Sequence, residues 1–171
     1  KACFLVGYCD GKFFVTTGYL DHVTNDEFVE WYYSLRDYAG PSVQLRNYIE
    51  NNKLQDPFYE QVFMPLFAAK GRERGFIGIT PDERCKPPKF DRIEGNLEPL
   101  IRQGWLVLNI GERDNPHMKR LEEQFLLLNR QMKSPADGPD CIEGAVWIIN
   151  QWISTLREGA ITIGKSRHAS K

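Results

Sequence analysis

The sequence predicts an α/β fold in which helices pack on a mixed β-sheet. A hairpin signal comes first in the chain, and strand-like segments then alternate with amphipathic helical segments. Hairpin strands pair antiparallel, whereas strands joined through a helix run parallel, so this order predicts both kinds of pairing. The chain has 171 residues, of which 42% are hydrophobic. It can therefore bury a sizeable core without disulfides or structural metal.

The sequence predicts five strands, each of which is short and rich in β-branched and aromatic residues. They span residues 2–8, 12–19, 43–50, 76–80 and 105–110. Asp10-Gly11 separates the first two and is typical of a tight hairpin turn, because glycine accepts the positive φ angle that such a turn requires.

The predicted helices share an apolar stripe at helical spacing and residues that mark their ends. They begin at Thr24 or Asn25, at 55–57, after Pro87-Pro88, at Asn115-Pro116 and near Pro139. Gly40-Pro41 is expected to end the first helix, and Pro65 to kink or shorten the second. The charged, glycine-flanked segment 70–74 is predicted to be a loop.

Residues 1–158 are predicted to form one domain, followed by a flexible basic tail over 159–171. Residues 159–166 match the phosphate-loop pattern G-x-x-x-x-G-K-[ST]. That loop needs a strand before it and a helix after it. Here a helix precedes the match and only five residues follow Ser166, so the match is interpreted as a coincidence.

Charge and cysteine usage narrow the class of protein. Lysine and arginine number 22 against 23 aspartate and glutamate, so polyanion binding requires a local basic patch. The cysteines have no CxxC spacing and are expected to be reduced thiols of a cytosolic protein. They are Cys3, Cys9, Cys85 and Cys141. We find no signal peptide and no apolar run of membrane-spanning length.

Two acidic motifs predict a metal site. Glu50 ends a strand-like run, and Asp137 and Asp140 open the last helix. Divalent metal prefers hard oxygen ligands, and two or three convergent carboxylates hold it against a phosphate. The alternatives are a solvated edge residue for Glu50 and a helix cap for Asp137.

A basic cluster between these motifs is a candidate DNA-backbone contact. It consists of Arg84, Lys86, Lys89 and Arg92. The alternatives are a solvated surface for the cluster, and for Arg92 an ion pair with Glu94 or Glu98.

Three segments resemble the C-terminal nuclease domain of phage terminase large subunits. They are 48–60, 82–93 and 137–145, and the order and spacing match up to about Thr155. The middle segment, with Lys89-x-x-Arg92-Ile93 before an amphipathic helix, is the most characteristic. The resemblance implies a ribonuclease H-like fold, that is, a mixed sheet with helices on both faces.

The resemblance also implies a function. The domain would be a metal-dependent endonuclease that cuts concatemeric viral DNA with two Mg²⁺ or Mn²⁺ ions. Glu50 matches the second metal-binding acid of the family and Asp137 the third, with Asp140 one turn further as the alternative ligand. The implied partners are double-stranded DNA, an ATPase domain in the same parent chain, the portal and the small terminase subunit. The implied location is the cytoplasm of a bacterial host, without membrane contact.

The sequence departs from the family at the first catalytic aspartate. In the family that residue lies on an opening strand, which would precede Lys1. We therefore expect this fragment to be inactive alone, because that aspartate bridges both ions in a two-metal mechanism. The alternatives are a catalytically silent packaging or assembly module, and another ribonuclease H-like enzyme such as an integrase, transposase or resolvase. The segment 89–93 and the absence of a zinc-binding motif count against the last.

Overall fold

The fold of the protein is known from a computed structural model. It describes residues 1–50, 59–82, 84–131 and 136–168, with residues 157–168 as backbone alone. The strands are β1 (Ala2–Cys9), β2 (Lys12–Leu20), β3 (Asn47–Glu50), β4 (Ile79–Asp82) and β5 (Leu106–Leu108). The helices are α1 (Asn25–Ala39), α2 (Met64–Arg74), α3 (Lys89–Arg102), α4 (Pro116–Leu127) and α5 (Asp137–His168). The predicted α/β class is confirmed.

The predicted hairpin is present. β1 and β2 pair antiparallel, and Cys9 is the register partner of Lys12 across the turn. Asp10 and Gly11 form that turn with φ angles of 47° and 80°. Aspartate tolerates this left-handed conformation better than most residues, and glycine adopts it without steric cost.

The strands form two sheets instead of the single mixed sheet that the sequence predicts. One sheet has the order β1–β2–β5, with β2 and β5 parallel. The other is the parallel pair β3–β4. Within the described ranges, no strand pairs with the free edge of β1 or with the free edge of β3.

Helices pack on both faces of the three-stranded sheet. Successive side chains of a strand point to opposite faces. Accordingly, Cys3 and Leu5 of β1 join a core with α1 and α2. Phe4 and Val6 join a second core that is closed by α3, α4 and α5. The predicted placement of helices on both faces is thus confirmed for this sheet.

Local sequence signals explain where two helices begin. Thr24 caps α1: its hydroxyl accepts from the Glu27 N–H at 3.2 Å, and the Glu27 carboxylate accepts from the Thr24 N–H at 2.8 Å. This reciprocal pair satisfies two donors that a helix start otherwise leaves unpaired. Asn115 caps α4 by accepting from the His117 N–H at 2.9 Å.

The segment around α2 differs from the prediction. The expected helix start at 55–57 lies outside the described residues, and a π-helical turn over Tyr59–Phe63 leads into α2. Pro65 lies in the first turn of α2, where it removes no hydrogen bond that the helix needs. The predicted loop over 70–74 is wrong, since α2 continues to Arg74. Ion pairs from Lys70 and Arg74 to Glu30 of α1 hold this last turn.

The last helix is longer than predicted. Helix α5 begins at Asp137, as the sequence predicts, and continues to His168. Its backbone is therefore helical over 159–168, where the sequence predicts a flexible tail. A helical backbone over 159–166 also differs from the strand–loop–helix of a phosphate loop. In the part of the chain that the structure describes, no helix has the length and apolar character to cross a bilayer.

Candidate functional site

A cavity of about 950 Å³ lies between the free edges of β1 and β3. Its walls include residues 1–7, which contain most of β1, and residues 43–50, which contain β3. Cys141, Gly144 and Ala145 of α5 also line it. These small side chains leave space between the two strand edges.

The three predicted acidic ligands line this one cavity. Glu50 is the last residue of β3, and Asp137 and Asp140 lie in the first turn of α5. The aspartates share a helix face because residues three apart are neighbours on a helix. The structure thus brings together acids that are separated by 87 positions in the sequence (137 − 50).

A fourth acid at the cavity was not predicted. Asp82 ends β4 and is the register partner of Glu50 in the parallel pair β3–β4. Adjacent parallel strands end at the same edge of a sheet, so their last side chains lie together. The available signal was a short strand that ends in an acid, but the predicted strand stopped at Thr80.

Two lysine ammonium groups lie among these carboxylates. Lys86 Nζ is 2.8 Å from Glu50 Oε1 and 3.4 Å from Asp82 Oδ2. Lys89 Nζ is 3.0 Å from Asp137 Oδ1 and 3.3 Å from Asp140 Oδ2. Each ammonium therefore bridges one pair of carboxylates.

The two arginines of the predicted DNA-binding cluster are in a buried network. Arg92 is an ion-pair partner of Asp140 and Glu143. Arg84 donates to Asp82 at 3.0 Å and to both carboxylate oxygens of Glu143 at 3.2 and 3.3 Å. The side chains of Arg92 and Arg84 are 7% and 12% exposed. These two arginines are thus not on a solvated surface, and in the described ranges Arg92 pairs with Asp140 and Glu143, where the alternative had been Glu94 or Glu98. A DNA contact of the cluster stays a prediction.

Glu143 is the centre of this network, and sequence reasoning missed it. Its side chain is 1% exposed, and it also accepts from Asn96 Nδ2 at 2.8 Å. A buried carboxylate is costly unless it is paired and hydrogen-bonded. The available signal was a lone glutamate in an otherwise apolar stretch, one helical turn after Asp140.

Burial and charge shift the pKa values of two groups at the cavity. Burial alone would lower the pKa of Lys89, but the hydrogen bonds and charges of Asp137 and Asp140 outweigh it and raise that pKa. Burial raises the pKa of the Cys141 thiol to about 12, and the nearby charges of Asp140 and Glu50 act in the same direction. Cys141 is thus a neutral thiol and a poor metal ligand or nucleophile.

The donor chemistry of the cavity fits a hard divalent cation. Mg²⁺ is usually bound through one or two carboxylates, with waters and substrate phosphates as further ligands. Each of the pairs Glu50–Asp82 and Asp137–Asp140 supplies two carboxylates. A lysine ammonium offsets part of the negative charge of each pair. Among the described residues, the buried Asp140 Oδ1 accepts no well-aligned hydrogen bond, although it is in an ion pair with Arg92. Within the described ranges, however, no three acidic, histidine or cysteine side chains are placed to hold one metal ion.

Comparison of the chain with known family models, curated proteins and solved structures finds no match. The chemistry of the cavity is therefore the guide to function. It combines paired carboxylates with lysine ammonium groups beside them at one cavity.

Proposed function

We propose that this chain is part of a metal-dependent DNA endonuclease, the ribonuclease H-like nuclease domain of a phage terminase large subunit. The observation that carries the proposal is the meeting of four carboxylates from three distant segments at one cavity. They are Glu50, Asp82, Asp137 and Asp140. The proposed substrate is concatemeric double-stranded DNA in the cytoplasm of a bacterial host. The proposed partners are the ATPase domain of the same parent chain, the portal and the small terminase subunit.

The proposed cofactor is Mg²⁺ or Mn²⁺. Bound metal would lower the pKa of a water for attack on a phosphodiester and stabilise the charge that develops there. Glu50 with Asp82 would hold one ion, and Asp137 with Asp140 a second. Arg92 and Arg84 fix the orientation of Asp140 and Asp82 through ion pairs, so two of the four ligands are pre-positioned by buried contacts.

The free edges of β1 and β3, with which no described strand pairs, support the ribonuclease H-like part of the proposal. A strand between β1 and β3 would join the two sheets into one mixed sheet, as the resemblance requires. Such a strand would border the cavity that Glu50 and Asp137 line. In the family the first catalytic aspartate lies on a strand in this position, and the proposal places that aspartate at the cavity.

A second candidate is a catalytically silent packaging module. The observation in its favour is that both carboxylate pairs already have a lysine partner. In a purely structural cluster, such ion pairs offset the cost of the partly buried carboxylates without metal. The two candidates differ in whether metal enters the cavity.

The test is cleavage of supercoiled plasmid DNA by the parent protein, with Mn²⁺ or Mg²⁺. Glu50→Ala and Asp137→Ala should each lower the nicking rate about a hundredfold or more, because each removes charge stabilisation from the transition state. Chelation by EDTA should abolish cleavage. Glu98→Ala is the matched control, since its carboxylate is half-exposed on α3, where it pairs with Arg102. Cleavage by both site variants at the parent rate would refute the endonuclease assignment.

A further inference from the structure

The cavity lies between two strands that run in opposite directions. β1 begins beside the acids, since the terminal ammonium of Lys1 is 3.9 Å from Asp137 Oδ2. β3 instead ends beside them, at Glu50, which lines the same cavity. A strand placed between the two would therefore be antiparallel to one of them and parallel to the other.

The edge of β1 has backbone groups that face the cavity. The Lys1 carbonyl accepts from the Asp21 N–H at 3.1 Å, on the side of β2. Backbone groups alternate along an antiparallel strand, so those of Ala2 and Phe4 face the opposite side, which is the cavity. The Phe4 N–H donates to the sulfur of Cys141, which is a weak acceptor. A strand carbonyl would be a stronger partner for this N–H.

The composition of β1 is that of a covered strand. Natural edge strands are usually protected by charged residues, by proline or by a covering element. Residues Ala2–Cys9 contain no charged residue and no proline. Within the described ranges, however, no strand pairs with this edge. We therefore expect β1 to have a further partner.

We propose that this cavity binds an extended segment of the longer parent protein as an inserted strand, antiparallel to β1 and parallel to β3, with apolar side chains toward both cores and an acid at its amino end beside Arg46. The inference rests on the strand that the proposed function places at this cavity, and it adds the direction, length and chemistry of that strand. Because the cavity is already formed in the 171-residue chain, the strand should also bind as a separate peptide.

The volume of the cavity fits a single strand. A strand rises about 3.3 Å per residue, lies about 4.8 Å from its neighbour and fills about 10 Å between packed layers, which is about 160 Å³ per residue. The cavity of about 950 Å³ thus holds a strand of about six residues. An α-helix would satisfy its own backbone groups and leave those of the strand edge without a partner.

Antiparallel pairing with β1 is the favoured direction. β1 has eight residues and β3 has four, so β1 supplies most of the backbone hydrogen bonds. Antiparallel pairs are also slightly more stable per residue than parallel pairs. The inserted strand would then run toward Glu50, with its amino end at the opposite end of the cavity.

The two faces of the cavity differ in the size of their side chains. The α5 face contains the small residues Cys141, Gly144 and Ala145. The other face contains large side chains of the α1 core, including Phe28 and Tyr32. Successive side chains of a strand point to opposite faces. We therefore expect bulky apolar side chains toward α5 and smaller ones toward α1.

The two ends of the cavity differ in charge. Arg46 directly precedes β3, and among the described lining residues at this end it is the only charged one. Its guanidinium carbon lies 3.7 Å from the centroid of the Trp152 ring. The other end already contains both carboxylates and ammonium groups. An acidic side chain at the amino end of the strand would thus complement the charge of Arg46.

The first test is fluorescence anisotropy of a labelled peptide with the 171-residue chain, without metal or DNA. The peptide has two glutamates followed by seven residues that alternate leucine and valine. The control peptide has the same composition, with the glutamates at its carboxyl end. The glutamate-first peptide should bind about fivefold more tightly, the scale of one partly exposed ion pair, because only it combines the antiparallel direction with an acid beside Arg46.

Variants of the chain test where the peptide binds. Ala145→Leu fills the cavity from α5 and should lower the peptide affinity about tenfold or more. Ala69→Leu is the matched control, because Ala69 is exposed on α2. Arg46→Glu should lower the affinity for the glutamate-first peptide about fivefold and raise that for a peptide with lysines in place of the glutamates. Arg46 is exposed, so this charge reversal decides the question even if Ala145→Leu impairs folding.

Amide hydrogen exchange separates strand insertion from adhesion to an apolar surface. The peptide should slow exchange of the Ala2 and Phe4 amide protons about tenfold or more, because their N–H groups gain carbonyl partners. Amide protons of β5, on the far side of β2, should exchange at an unchanged rate. Peptide binding that leaves the exchange of Ala2 and Phe4 unchanged would refute insertion.

The remaining outcomes separate the inference from the proposed function. Equal affinity of the two glutamate peptides would refute the direction. Absence of binding by both would refute the inference, whereas DNA cleavage by the parent protein would still support the endonuclease. Peptide binding with slowed exchange, together with a parent protein that does not cleave DNA, would support the inference and refute that function. A dimeric chain that takes up no peptide would show that a second copy covers β1, which also refutes the inference.

Discussion

Glu50 and Asp82 are register partners at the carboxyl ends of the parallel strands β3 and β4, and the Lys86 ammonium lies between their carboxylates. The backbone ladder fixes the two residues as neighbours at one edge of the sheet. Their carboxylates are held together by the shared contact with Lys86. The site thus contains one acid pair on the sheet and a second pair on the first turn of α5.

This relationship predicts a catalytic role for Asp82. Asp82→Ala should reduce DNA cleavage by the parent protein as strongly as Glu50→Ala, because both carboxylates are placed to contact the same cation. Plasmid nicking with Mn²⁺ measures the effect. The control is Asp91→Ala, because Asp91 is an exposed residue of α3 that pairs with Arg130. This variant should cut DNA at the same rate as the unsubstituted protein. If Asp82→Ala also keeps the parent rate, Asp82 only orients Lys86 and Arg84.

Glu143 should be a major determinant of stability. Glu143→Ala would leave the guanidinium groups of Arg84 and Arg92 buried without their shared carboxylate. Breaking a buried ion pair in this way typically costs about 3–5 kcal/mol of unfolding free energy. Urea denaturation of the 171-residue chain measures the loss.

The control for that measurement is Glu98→Ala on the exposed face of α3. Its ion pair with Arg102 spans 3.6 Å at the surface, and such pairs contribute about 1 kcal/mol or less. A stability change as small as the control's would show that water replaces Glu143 as a partner of the arginines.

Gly138 is predicted to be a close-packing position at the start of α5. A Cβ atom on Gly138 would lie 2.7 Å from Leu121 Cδ1 and 3.1 Å from Leu20 Cδ2. Gly138→Ala should therefore destabilise the chain by about 1–3 kcal/mol through overpacking. Gly95→Ala on α3 is the matched control, since nothing lies within 4 Å of its Cβ. It should stabilise the helix by about 0.5–1 kcal/mol. Equal effects of the two substitutions would contradict the close approach.

The raised pKa of Cys141 predicts that the folded state loses stability at alkaline pH. Its folded pKa of about 12 exceeds the ordinary value of 9.0, so only the unfolded thiol ionises between these values. Its contribution is therefore complete below pH 9 and is lost as the pH rises toward 12, at about 1.4 kcal/mol for each pKa unit. The measurement is the difference in unfolding free energy between the unsubstituted 171-residue chain and its Cys141→Ala variant from pH 7 to 11. A difference that does not change with pH would contradict the burial of this thiol.

Local signals in the sequence predicted much of the fold. Asp10-Gly11 predicted the hairpin, and Thr24 and Asn115 predicted two helix starts. Turns and caps depend on residues within four positions, so the local sequence is enough to predict them. The meeting of Glu50, Asp137 and Asp140 was predicted from their positions at a strand end and a helix start together with the resemblance, since no local rule relates residues that far apart.

The predictions that failed share one physical cause. Contacts between distant segments of the chain cannot be read from the local periodicity of the sequence. Asp82 was missed because the register between β3 and β4 decides its position. Arg84 and Arg92 were expected at the surface, but their burial depends on a partner about fifty to sixty positions away, Glu143. The segment 70–74 was expected to be a loop, yet its contacts with α1 outweigh its weak helix propensity.

The gap between β1 and β3 has a consequence for the cooperativity of unfolding. In the described ranges the β3–β4 pair is joined to the rest of the molecule by side chains, such as the Tyr32 hydroxyl bound to the Tyr48 carbonyl and the Trp152 indole bound to the Tyr48 hydroxyl. Side-chain links open more readily than a continuous backbone ladder. Amide protons of β3 and β4 should therefore exchange with solvent through a partial opening, at a lower free energy than those of β2, which is paired on both sides.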